Sequence, residues 1–233
     1  MDKTIGIHQP NYFPWLGYFA KINAVNLFVI LDDVDFQTGN ASSITNRCKI
    51  KTHQGEQWLT VPVLKGDSKR INTIGIDNKQ AWQNKQLKTI QLAYSKAPYF
   101  KTIYAWLEER FSQQPVLLSE WNTYLIEEVA ALLAIDTPFL KSSKLLLEHS
   151  DKNERIIDIC KLTGATCYLS GNGARKYNDE NAFNQNHIAL RYTTFQAQVY
   201  PQLHGAFING LSILDVLMNC SITTIQQFLK IGA

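Results

Sequence analysis

The chain has 233 residues, with 23 Lys and Arg against 20 Asp and Glu, for a formal net charge of +3. An apolar share of 45% supports a buried core, and 11% aromatics with few charges exclude a disordered chain. So small a charge gives no electrostatic footprint for nucleic acid, so DNA is not an expected partner, and the apolar runs fall short of the ~20 residues that cross a bilayer.

Residues 1–20 hold no apolar stretch followed by a small-residue cleavage site, so no signal peptide is expected. Cys48, Cys160, Cys167 and Cys220 form no C-x-x-C pair, and the histidines show no i, i+4 spacing. A disulfide framework and a local zinc site are therefore not expected, and a reducing, cytoplasmic setting is.

Thr4–His8 is a β-branched run that predicts a first strand, and Pro10 and Pro14 forbid regular structure over Gln9–Trp15. A helix is expected from Trp15 to about Asn23. The continuous apolar run Leu27–Leu31 then predicts a buried parallel strand. Strand, helix and strand make a βαβ unit, the building block of parallel sheets. Residues 44–63 read as a hairpin turning near Gln54-Gly55. Residues 79–135 read as a helical insertion broken at Pro98 and Pro115, with an apolar helical stripe over Trp121–Leu133.

Alternation of strand and helix returns near residue 138. A strand is expected in 138–145, then a helix Asn153–Lys161 capped by Ser150 or Asp151 and closed by Gly164. Ala165–Leu169 and Ile188–Thr193 read as further strands, and residues 211–218 and 223–230 as two last helices. The expected fold class is α/β, in one domain over residues 1–233. Its parts are a Rossmann-like three-layer core with a mostly parallel sheet, a β-hairpin excursion and a helical insertion.

Ligands of open α/β sheets bind outside the carboxyl ends of the strands. Two loops there carry useful chemistry. The first, His8-Gln9-Pro10-Asn11-Tyr12-Phe13-Pro14-Trp15, is stiffened by its prolines and holds its polar groups in place at modest entropic cost. The plainer alternative is a turn rigidified for packing, with His8 capping a helix. The second, Ser170-Gly171-Asn172-Gly173-Ala174-Arg175, lets backbone N–H groups approach a ligand. A following helix would aim at an anion and Arg175 would pair with phosphate. Its alternative is a plain tight turn with Arg175 solvated. The third glycine of the dinucleotide fingerprint is missing, and no P-loop motif is present.

Asp32, Asp33 and Asp35 end the second strand, as a Mg²⁺ site, a source of a general base, or a solvated acidic loop. Asn46 and Arg47 open a strand with Lys49 and Lys51 alternating on one face, which would line a phosphate channel or protect an edge. Asp215 sits in an apolar helix and needs a partner if buried. Tyr200, Pro201 and His204 are candidates to border the same site.

The segments His8–Phe19, Asp32–Phe36, Asn46-Arg47, Trp58–Pro62, Ile76–Asn78, Tyr168–Gly171 and Leu211–Asp215 together strongly resemble the WbqC-like family, over essentially the whole chain. The resemblance implies a setting in bacterial O-antigen and surface-polysaccharide synthesis, beside enzymes that make nucleotide-linked amino sugars. It implies transfer or ligation of an acyl or aminoacyl group to the sugar amine. On that reading His8 is base or amine orienter, with Asp33 or Asp35 as the alternative base. Arg47 and Arg175 hold phosphates with Ser170 and the N–H groups of residues 171–173. Gln9, Asn11 and Asn46 add polar contacts, and Tyr12 or Trp15 stacks on sugar or base. The partner is a sugar nucleotide. The donor side stays open between ATP with Mg²⁺, a CoA thioester and an aminoacyl-tRNA. A looser likeness to nucleotidyltransferases lacks that group's second histidine, so sugar-nucleotide synthesis and a non-catalytic sugar-nucleotide-binding or scaffold role stand as alternatives.

Overall fold

The computed structural model describes residues 2–37, 43–64, 66, 69–147 and 151–230. Strand β1 (Thr4–His8) leads through the proline loop into helix α1 (Leu16–Asn23) and back to β2 (Leu27–Ile30). β1 and β2 pair in parallel with Ile5 beside Leu27 and His8 beside Ile30, the βαβ unit expected from the sequence. The chain then leaves the sheet. β3 (Arg47–Thr52) and β4 (Gly55–Thr60) form an antiparallel hairpin around His53-Gln54, with Gly55 at φ +100° where a side chain would be strained. Three helices follow: α2 (Trp82–Tyr94), α3 (Phe100–Phe111) and α4 (Leu118–Leu132).

The return to the sheet is shorter than the sequence suggests. β5 covers only Phe139–Lys141, because Ser142–Lys144 closes into a 3₁₀ turn whose serines hydrogen bond back to the end of β2. Helix α5 (Lys152–Thr163) starts at Asp151, whose carboxylate accepts from the N–H groups of Asn153 and Glu154; Ser150, the other candidate cap, lies outside the described residues. Gly164 ends α5 in the left-handed conformation at φ 66°. β6 (Cys167–Ser170) runs into a 3₁₀ segment over Asn172–Tyr177, not the expected α-helix, then α6 (Glu180–Gln185) and β7 (Ala189–Tyr192). α7 (Ile213–Asn219) and α8 (Ile222–Leu229) begin at Ser212 and Ser221, both capping with their hydroxyls.

The five strands form one parallel sheet in the order β5-β2-β1-β6-β7. On one face Ile5, Ile7 and Val29 pack against Ile156 and Ile159 of α5 and Phe183 of α6. On the other, Phe28 and Ile30 meet Phe19 and Ile22 of α1, in a core continuous with α2–α4, α7 and α8. Each fully buried side chain of this size contributes about 1.5–3 kcal/mol, so both cores hold the sheet rigid beneath the loops at its carboxyl edge. Among the described residues, no helix is long and apolar enough to cross a membrane.

Candidate functional site

Strand order reverses at β1: the chain moves first to β2 and β5 on one side, then crosses through α5 to β6 and β7 on the other. The carboxyl ends of β1 and β6 therefore diverge, and a crevice of about 530 Å³ opens between their loops. His8, Gln9 and Trp15 line it from the first loop, and Gly171, Asn172 and Gly173 from the second. The two sequence-predicted loops meet in space.

The first loop is clamped from behind. Buried Asn122 of α4 donates to the carbonyls of Pro10 (2.8 Å) and Thr45 (2.6 Å). The Ser212 hydroxyl donates to the Phe13 carbonyl at 2.8 Å, holding Phe13 at a φ of 38° that non-glycine residues rarely adopt. Tyr18 and His8 both address one acceptor: the Tyr18 hydroxyl donates to Gln9 O at 3.0 Å, and His8 Nδ1 lies 3.1 Å from it. A carbonyl only accepts, so Nδ1 carries the proton and Nε2 keeps its lone pair. Trp15 and Tyr18 flank the imidazole edge-on, with centroids 5.8 and 4.9 Å away. Burial first, and the charge of Lys21 second, lower the His8 pKa to about 4. The ring is neutral throughout the physiological range.

Lys21 is the group sequence reasoning missed. It projects from α1 into the floor of the crevice, only 5% exposed, donates to Ile7 O at 2.8 Å, and places its amine 5.6 Å from the Tyr168 ring centroid. Burial lowers its pKa to about 7. Gly6 makes room for it: a Cβ there would come within 3.3 Å of Lys21 Cε and 3.0 Å of Phe28. The signal was a lone lysine in the otherwise apolar stretch Leu16–Ile22, the same signal that singled out Asp215.

The remaining candidates divide. Arg47 stacks over Trp58 at 4.3 Å and lines a second cavity of about 270 Å³ with Tyr12 and Lys49; Trp15 is the wall it shares with the crevice. Tyr12 is buried and donates to Gln86 at 2.6 Å; Asn11 is buried, and Asn46 donates to Val61 O at 3.0 Å within the hairpin. Ser170 is buried and held by Asn178 at 2.9 Å, while Arg175 is exposed over the Tyr192 ring at 4.5 Å. None of Asn11, Asn46, Ser170 and Arg175 lines the crevice.

The acidic cluster is occupied. Asp32 accepts from the Ser143 N–H (3.0 Å) and hydroxyl (2.7 Å), and Asp33 takes Ser142 at 2.5 Å and forms an ion pair with Arg155. Burial pushes the Asp33 carboxyl up, but the Arg155 and Ser142 hydrogen bonds outweigh it and leave its pKa lowered. Asp35 is exposed, its backbone bridged to Arg70. This arrangement does not fit Mg²⁺, since serines and a guanidinium already hold the carboxylates. Among the described residues no group of three or more His, Cys, Asp or Glu side chains could hold a metal ion. Asp215 has its partners in the Tyr94 and Tyr200 hydroxyls, both at 2.8 Å, and Tyr200 is half-buried against the core, outside the crevice. His204 meets Ala93 O at 2.8 Å, also away from the crevice.

The model of the WbqC-like protein family matches residues 9–227. The chain is 36% identical over 223 residues to a protein of Mycobacterium tuberculosis (strain ATCC 25618 / H37Rv) named Uncharacterized protein Rv1507c, covering 93% of this chain and 94% of that one. No solved structure matches.

Proposed function

The chain belongs to the WbqC-like family, and from that premise we propose that it is an enzyme of surface-polysaccharide synthesis that forms an amide on the amine of a nucleotide-activated amino sugar in the crevice between β1 and β6. The observation that carries this reading is the neutral His8 facing the Gly171–Gly173 loop across one crevice with no Asp or Glu among its described lining residues. Such a crevice suits a phosphate-bearing ligand and sets the free Nε2 of His8 beside it.

An amine attacking an activated acyl carbon forms the N–C bond as the bond to the donor's leaving group breaks, and its nitrogen then sheds one proton. The nitrogen becomes strongly acidic as that bond forms, so a weak neutral base suffices. His8 Nε2 accepts the proton and returns it to the leaving group. The Gln9 carbonyl fixes the ring tautomer for this role. Asp33 is committed to Arg155 and Ser142, which favours His8 over the acidic cluster as base.

Mass spectrometry of a 4-amino-sugar nucleotide incubated with acyl-CoA, aminoacyl-tRNA, or a free amino acid plus ATP tests the reading. The expected result is a product heavier by the acyl group less one hydrogen with one donor class. No mass gain with any donor, from folded protein that binds the sugar nucleotide, would overturn it.

A further inference from the structure

Lys21 is a buried amine with no carboxylate beside it among the described residues. Its one hydrogen-bond partner among the described residues is the Ile7 carbonyl, and its other near neighbour is the Tyr168 ring. A buried ammonium normally has a carboxylate beside it, because desolvating the charge costs several kcal/mol that a single carbonyl does not offset. Here no Asp or Glu is found among the described lining residues. The groups facing the amine are His8 from β1, Tyr18 from its own helix and Tyr168 from β6, with Lys152 of α5 at the rim.

Across the crevice, Gly171 and Gly173 lack any conformational reason to be glycine. Neither has a positive φ, and a Cβ on either would meet nothing within 4 Å. What an open, side-chain-free wall provides is approach for something that is not protein. A buried amine with no described carboxylate beside it thus shares the crevice with a bare backbone wall.

We propose that a phosphate of the sugar nucleotide is the missing counter-ion of Lys21, and that a proton enters the crevice with it. The inference rests on the reading of the crevice as a sugar-nucleotide site and adds the atom that holds the phosphate. Between pH 6 and 9 the bridging phosphates of a sugar nucleotide do not titrate. His8, at about 4, stays neutral, and Tyr168, pushed up to about 12 by burial, stays protonated. Of these three crevice groups Lys21 is the one that changes charge there, with its amine at about 7 before the ligand arrives. An anion beside it raises that value. Below pH 7 the amine is already charged and binding takes up almost no proton. Above pH 7 each bound ligand draws in close to one, and affinity falls by up to about tenfold per pH unit.

Isothermal titration of UDP-glucose, dTDP-glucose and inorganic sulfate into the protein, in buffers of different ionisation heat at pH 5.5, 7 and 8.5, tests this. At least one of the three binds, with uptake approaching one proton at pH 8.5 and near zero at pH 5.5. Lys21→Arg keeps a permanent cation and binds with no uptake and a flat pH profile, and Lys21→Met loses at least tenfold in affinity. Binding without uptake at pH 8.5, uptake that persists in Lys21→Arg, or no binding of any probe by folded protein would each overturn the proposal. Proton-coupled binding without amide product in the mass-spectrometric assay would remove the catalytic reading and leave this one standing.

Discussion

His8 and Lys21 are neighbours whose burial favours opposite uses of the same neutrality. Burial and the Lys21 charge lower the His8 pKa to about 4, so the ring is a base at every pH above that value. The ring itself is therefore expected to take up its proton only near pH 4, well below the 6.5 of a free imidazole, as an NMR titration of its ring protons would read. A ring that titrates at 6.5 would remove His8 from the role of a base that is neutral at every working pH. His8→Gln keeps a donor for the Gln9 carbonyl but has no ring lone pair. It is expected to lose about 10²–10⁴ in turnover with little change in Tm. A His8→Gln variant with near-full turnover would make the residue an orienter only.

Lys21 also bears on stability. Its folded-state pKa stands below its unfolded value of about 10.5, so its charged form is disfavoured by folding. The sign follows: the neutral amine's contribution to stability is present at high pH and is lost as pH falls through about 7, where the buried group must carry its charge. Lys21→Met removes that penalty and strips one donor from Ile7 O, a loss of about 1–3 kcal/mol. Its Tm relative to the parent is expected to rise as pH drops from 9 to 6. Thermal melts across that range check the trend, and a Tm difference independent of pH would show that burial does not depress the amine.

At the scale of elements, two glycines, one packed beneath the Lys21 stem and one lining the crevice, predict opposite outcomes. Gly6→Ala in β1 puts a methyl 3.0 Å from Phe28 and 3.3 Å from the Lys21 stem. It is expected to cost about 1–3 kcal/mol of stability and to weaken ligand binding by displacing the amine. Gly171→Ala meets nothing within 4 Å. It is expected to leave Tm unchanged while lowering affinity, because the methyl enters the ligand's path. Denaturant titrations paired with binding isotherms separate the two, and equal stability losses would contradict the division. Helix α4 acts on the site from a distance through Asn122, whose amide holds both the Pro10 and Thr45 carbonyls. Asn122→Ala leaves two buried acceptors unpaired, at about 1–3 kcal/mol each. Slower turnover together with a lower Tm, read by kinetics and thermal melts, is the expected pattern of a loop loosened behind His8.

Across the whole molecule, the local signals that show in a linear sequence translated well. The β-branched Thr4–His8 and Gly164 sit where strand and helix end were expected, and the apolar Leu27–Leu31 run holds the buried strand Leu27–Ile30. The meeting of the two loops was also legible, because parallel βα units place their loops on one edge of the sheet. Side-chain direction was not. Tyr12 and Asn11 belong to a loop at the crevice and Ser170 ends β6, yet all three are buried in packing contacts, and Arg175 turns outward onto Tyr192. Loop residues have no fixed period, so sequence spacing carries no information on which way each one points. The commitment of Asp33 to Arg155 spans 122 positions, and the lack of a carboxylate among the described residues that line the crevice with Lys21 shows only in three dimensions.

Trp15 separates two cavities, the crevice holding His8 and Lys21 and the smaller one holding Arg47 and Trp58, and the proposed sugar-nucleotide site is the first of them. Hydrogen–deuterium exchange with and without a saturating amino-sugar nucleotide distinguishes them directly. Protection is expected in the backbone of residues 6–9 and 168–174, at the ends of β1 and β6, and is expected to be lost in Lys21→Met. Protection confined to residues 44–60 and 209–212, around Arg47 and Trp58, with residues 168–174 unchanged, would contradict the placement of the ligand in the crevice.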